Sequence, residues 1–157
     1  MRVLWILVVV LLASCSNLTA EGGDTARVLR VIDGDTIDVL VAGQEMRVRY
    51  VGVNTPERDE TCYADATAAN RRMVEGQTVR LVRDQSNTDR YGRWLRYVYV
   101  GDTFVNRTLI EQGYAETVLY EPDDRYYEDF ARLEAMAIRD GRGCHPTGIF
   151  NDGSTTR

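Results

Sequence analysis

A chain of 157 residues has room for one ordinary domain and little else. At 44% hydrophobic and 27% charged it suits a globular chain rather than a disordered one. A formal charge of −5, from 24 acidic and 19 basic residues, speaks against a globally basic nucleic-acid binder but leaves open a local basic cleft or a bound divalent cation. All 19 basic residues are Arg, so every cation offers a planar fork of donors rather than a point charge.

In chain order, the apolar run Val3–Ala13 is shorter than the ~20 residues a spanning helix needs and reads as the hydrophobic part of an export signal. The stretch Leu12-Ala13-Ser14-Cys15 resembles the bacterial lipobox, which implies removal of residues 1–14 and lipidation of Cys15. The alternative is an ordinary signal peptide cut near Ala20. Loss of Arg2 takes the mature charge from −5 to −6. Residues 15–26 are small and polar, and read as a lipidated Cys and flexible tether.

The pattern then turns β-like. Residues 26–31, 36–41 and 45–53 are rich in Val, Ile and Leu, with Asp33-Gly34 and Ala42-Gly43-Gln44 as turns. A helix over 64–75 ends at Gly76, and strands follow over 77–83 and 94–100. Helices over 104–112 and 124–140 end at Gly113 and Gly141; Phe130, Leu133, Met136 and Ala137 hold helical spacing in the second. Residues 149–157 read as a disordered tail. Five strands with an inserted helix predict an α+β, mainly β fold: a five-stranded OB-type Greek-key barrel with three helices, in one domain over 27–148.

A hairpin centred on Gly43 sets Asp35 opposite Val51 and Ile37 opposite Arg49. Asp35 and Arg49 then share a face as diagonal neighbours, and Asn54 and Glu57 fall at the same barrel end. Carboxylate and carboxamide oxygens grouped in this way suit a hard cation, and an arginine beside it can hold phosphate. The same residues also read as turn chemistry, since Asp-Gly and Asn-Thr-Pro-Glu are common loop signals. Cys62 and Cys144 remain after the export segment; a disulfide, two free thiols, or a zinc site with His145 are all open.

VIDGDTIDV (31–39), RYVGVNTPE (49–57), DRYGRWLRYVYV (89–100) and VNRTLIEQGYA (105–115), in that order, resemble the staphylococcal nuclease (thermonuclease) family. The resemblance implies a calcium-dependent phosphodiesterase acting on DNA and RNA. It implies Asp35, Asn54 and Thr55 (through its backbone carbonyl) as calcium ligands, Arg49 and Arg93 as phosphate-binding groups, Glu57 as general base, and Tyr91 and Tyr120 beside the nucleotide. Asn54 replaces an aspartate, which removes one negative charge from the metal shell. The segment after Glu57 is shorter and has no Lys. An exported, lipid-anchored monomeric nuclease is the expectation; the rivals are a nucleic-acid-binding barrel with weakened catalysis and a structural envelope lipoprotein.

Overall fold

The computed structural model describes residues 22–151 and 153. The expected export signal, Cys15 and most of the expected tether lie outside the described residues. Eight strands and three helices run in the order β1 (Asp24–Val31), β2 (Thr36–Val41), β3 (Gln44–Tyr50), β4 (Val53–Asn54), α1 (Tyr63–Val74), β5 (Thr78–Val82), β6 (Trp94–Val100), β7 (Thr103–Phe104), α2 (Val105–Glu111), β8 (Glu116–Thr117) and α3 (Tyr127–Arg139). Among the described residues, no helix is long and apolar enough to cross a membrane.

β1, β2, β3, β5 and β6 close into a five-stranded barrel of the OB type. Antiparallel pairing carries the order β3-β2-β1-β5-β6, and a short parallel pairing of β3 with β6 closes it at Val48↔Trp94, Arg49↔Leu95 and Tyr50↔Arg96. Closure removes the unpaired sheet edges. Alternate side chains fill the interior: Ile37, Val39, Val48, Leu81 and Val98 are buried, and Val105, Leu109 and Ile110 of α2 and Phe130 and Leu133 of α3 cap the same core.

The β2–β3 hairpin corrects the expected register by one residue: Thr36 faces Arg49 and Ile37 faces Val48. The turn is the two-residue Ala42-Gly43, with both φ values positive at 48° and 80°. That geometry matches the twist of a tight hairpin, but an Ala in it is uncommon, so the sequence hides it. Asp33-Gly34 is likewise not a two-residue turn. Residues 32–35 form a wider bend that folds back by a bond from Ile32 N to Thr36 O of 3.0 Å.

Two buried carboxamides brace the site end. Asn70 of α1 accepts from Tyr50 Oη at 2.9 Å and donates to Asp33 O at 2.9 Å, fixing the 32–35 bend. Asn106 of α2 accepts from Val98 N and donates to Val51 O, each at 2.9 Å, which ties β6 to the end of β3. Cys62, just before α1, is disulfide-bonded to Cys144, so the expected tether between the first-helix loop and the chain after α3 is present and both sulfurs are withdrawn from any zinc site. Within the expected disordered tail, Ile149–Asn151 is instead a 3-10 turn, with Phe150 edge-on to His145; residues 152 and 154–157 lie outside the described residues.

Candidate active site

The bend before β2 aims Asp35 inward. It lies outside the regular strand, so strict alternation does not govern it. This is why Asp35 still meets Arg49 despite the shifted register: its Oδ2 is 3.1 Å from Arg49 Nη1. The same oxygen accepts from Thr55 N and Thr55 Oγ1, both at 2.9 Å, while Oδ1 receives a longer 3.2 Å bond from Thr36 Oγ1. Gly34 is needed for that approach. A Cβ there would stand 2.6 Å from Thr55 Oγ1, so the glycine of DGDT serves close packing, not a positive-φ turn.

Arg49 is 5% exposed and pinned. Nη1 donates to Tyr50 O at 2.9 Å and Val53 O at 2.8 Å, and Nη2 faces Asn54 Oδ1 at 3.4 Å. A cation thus stands between Asp35 and Asn54, two of the expected metal ligands. Asn54 sits on β4, paired antiparallel with β8 at Asn54↔Glu116, and its Nδ2 donates to Glu116 Oε1 at 2.8 Å.

Arg93 comes from the loop before β6. Asp89 builds that loop by accepting from Tyr91 N at 2.9 Å, Arg93 N at 3.0 Å and Arg93 Nε at 2.6 Å. Burial alone would raise the Asp89 carboxyl, but the bonds from Arg93 and Tyr91 outweigh it and hold the pKa below the usual value. With Nε committed to Asp89, the guanidinium has its terminal amino groups left for a ligand. Tyr91 is 68% exposed, with the Arg93 and Arg90 guanidinium carbons 5.5 and 4.8 Å from its ring centre.

Arg49, Asn54, Tyr91, Arg93 and Tyr120 line one cleft of about 670 Å³, while Asp35 and Thr55 lie behind that lining, joined to it through Arg49. Glu57 is exposed beside it and responds to the same charges. Burial and then the Asp35 charge push its pKa up, against the pull of Arg49 and Arg93. Asp33 behaves likewise: burial and then Asp35 push its carboxyl from 3.8 to about 7.

Three carboxylates in one field are the feature that suits a hard cation. Among the described residues no three Asp, Glu, His or Cys side chains converge into a ready-made cage. The donor set is nevertheless of the right chemistry: Asp35 has an oxygen with only one long bond, and a divalent cation would offset both the burial and the Asp35 charge that raise Asp33 and Glu57. The residues fit a hard divalent cation.

The sequence did not point to Glu116 or Asp89. Glu116 belongs to a two-residue strand and meets Asn54 across 62 positions, which no local pattern reveals. Asp89 carried a readable signal, an acid four residues before Arg93 in a Gly-containing turn.

An OB-type barrel whose cleft is lined by Arg49, Arg93 and the exposed Tyr91 suits a phosphodiesterase of the nuclease type. A family model described as Staphylococcal nuclease homologue matches residues 47–144. A thermonuclease of Staphylococcus hyicus is 34% identical over 128 residues, covering 78% of this chain and 76% of that protein. A thermonuclease of Staphylococcus intermedius is 40% identical over 110 residues, 66% of each chain. Endonuclease YncB of Bacillus subtilis is 38% identical over 119 residues, 71% of this chain and 56% of its own length, so this chain spans little more than half of it. The chain belongs to the staphylococcal nuclease family.

Proposed function

We propose that the protein is a calcium-dependent nuclease that hydrolyses phosphodiester bonds in DNA and RNA and leaves 3′-phosphates. The carrying observation is that Arg49, Arg93, Tyr91 and Tyr120 line one cleft, with Glu57 beside it under the influence of both arginines. Calcium, held by Asp35, Asn54 and the Thr55 carbonyl, would supply charge neutralisation at the scissile phosphate. Arg93, held through Nε by Asp89, presents its amino groups to phosphate oxygens that gain charge in the transition state. Arg49 adds fixed positive charge at the cleft floor. Glu57 accepts a proton from the attacking water. The new P–O bond forms as the bond to the 5′ oxygen breaks, and that oxygen is protonated from solvent. A pKa raised above the ordinary carboxylate value makes Glu57 a better base near neutrality, and such assistance is typically worth ~10²–10⁴-fold.

Stacking on the exposed Tyr91 needs an unpaired base, which favours single-stranded or fraying substrate. The apolar run Val3–Ala13 followed by Leu12-Ala13-Ser14-Cys15 supports an extracytoplasmic, lipid-anchored location, and the proposed form is a monomer. The rival reading, a binding barrel with weakened catalysis, draws on Asn54. Incubation of the purified protein with single-stranded and plasmid DNA, with calcium or chelator, separates the two: binding without cleavage would favour the rival.

A further inference from the structure

The cleft's floor is a buried polar chain: Glu116 to Asn54 at 2.8 Å, Asn54 to Arg49 at 3.4 Å, and Arg49 to Asp35 at 3.1 Å. Exposures are 9%, 1%, 5% and 5% for Glu116, Asn54, Arg49 and Asp35. Donor chemistry forces the orientation of the Asn54 amide. A carboxylate accepts and a guanidinium donates, so Nδ2 must face Glu116 and Oδ1 must face Arg49. Rotating the amide by half a turn would set donor against donor and acceptor against acceptor.

Charge makes the second half of the argument. Within this chain Arg49 offsets the Asp35 carboxylate, so Asp35, Arg49 and Asn54 add no net charge to the field of Asp33 and Glu57. Fewer charged ligands weaken the hold on a hard divalent cation. Glu116 brings that group to −1.

We infer that Glu116 is a positioning residue of the metal site: it fixes the Asn54 oxygen on the side of Arg49 and supplies from β8 the negative charge that position 54 lacks. This inference rests on the calcium reading above. It also alters what Asn54→Asp should do. A carboxylate at 54 would meet the Glu116 carboxylate at contact distance, so the two acids compete for one role and are not additive.

The test is calcium binding by titration calorimetry, with folding followed by circular dichroism. Glu116→Gln keeps an acceptor for Asn54 Nδ2 but deletes the charge. A unit charge ~7 Å from a divalent ion, even at the dielectric constant of water, is worth about eightfold in the dissociation constant, so Glu116→Gln should bind calcium about eightfold more weakly. Asn54→Asp combined with Glu116→Gln moves the charge back to position 54 and should bind within about threefold of the parent. Asn54→Asp alone should melt lower than the parent without calcium and gain more from calcium. A Glu116→Gln variant that folds and binds like the parent overturns the inference and leaves the calcium reading standing. A double variant that folds but binds at least tenfold more weakly than the parent also overturns it, even if Glu116→Gln alone fails to fold. A parent that takes up no calcium overturns both.

Discussion

Asp33→Asn tests the electrostatics of the cleft without touching the groups assigned to chemistry. Burial and the Asp35 charge raise the Asp33 carboxyl from 3.8 to about 7. The folded pKa is the higher one, so the native state holds this proton longer than the unfolded chain does. The stability from that difference is fully present below about pH 4 and is lost as pH rises through about 7. Three pKa units correspond to ~4 kcal/mol; solvent on the open side of Asp33 and relaxation of the bend reduce this to ~2–3 kcal/mol. Asparagine keeps an oxygen for the 3.1 Å bond from Asp35 N but cannot ionise. Urea unfolding in chelator should therefore give the parent and Asp33→Asn nearly equal stability at pH 3 and a variant more stable by ~2–3 kcal/mol at pH 8. Calcium at pH 8 should narrow that gap by stabilising the parent more. A variant less stable than the parent at pH 8, or a difference unchanged between the two pH values, would refute the repulsion argument.

Three further outcomes are expected. Arg93→Lys should lower kcat by ~10-fold or more while the protein melts near the parent temperature, because a point charge cannot both bond Asp89 and present a fork to phosphate; unchanged kcat removes Arg93 from catalysis. The native protein should show no thiol reactive from Cys62 or Cys144, and reductant should cost ~2–4 kcal/mol by releasing a constraint across 82 residues; equal unfolding midpoints with and without reductant would contradict this. Mass spectrometry of the mature N-terminus should find a lipidated Cys15, and an unmodified start further downstream would exclude anchoring.

Much of the barrel was legible because its strands alternate or run apolar over five to eight residues and its helices stop at glycines. β2 and β6 lie where Thr36–Val41 and Trp94–Val100 suggested. The hairpin register was not legible. One residue of turn length decides which face Arg49 takes, and an Ala at positive φ gives no warning. The site survived that slip because Asp35 sits in a bend rather than a strand, where its direction is set by Thr55 and Arg49 instead of by parity. β4 and β8 have two residues each, too few for any periodic signal, so the Asn54–Glu116 contact became visible only when α2 and α3 had packed them together. Individual residue types were readable, then, but the partners that orient them were not.

The central claim is a calcium-dependent phosphodiesterase with Glu57 as its base. The most direct measurement is the initial rate of single-stranded DNA hydrolysis against calcium concentration, for the parent and for Glu57→Gln, with calcium binding recorded on the same samples. The account predicts that cleavage by the parent rises with calcium and stops in chelator, and that Glu57→Gln still binds calcium but turns over ~10²–10⁴-fold more slowly. Cleavage indifferent to chelator, or a Glu57→Gln variant as fast as the parent, would contradict it.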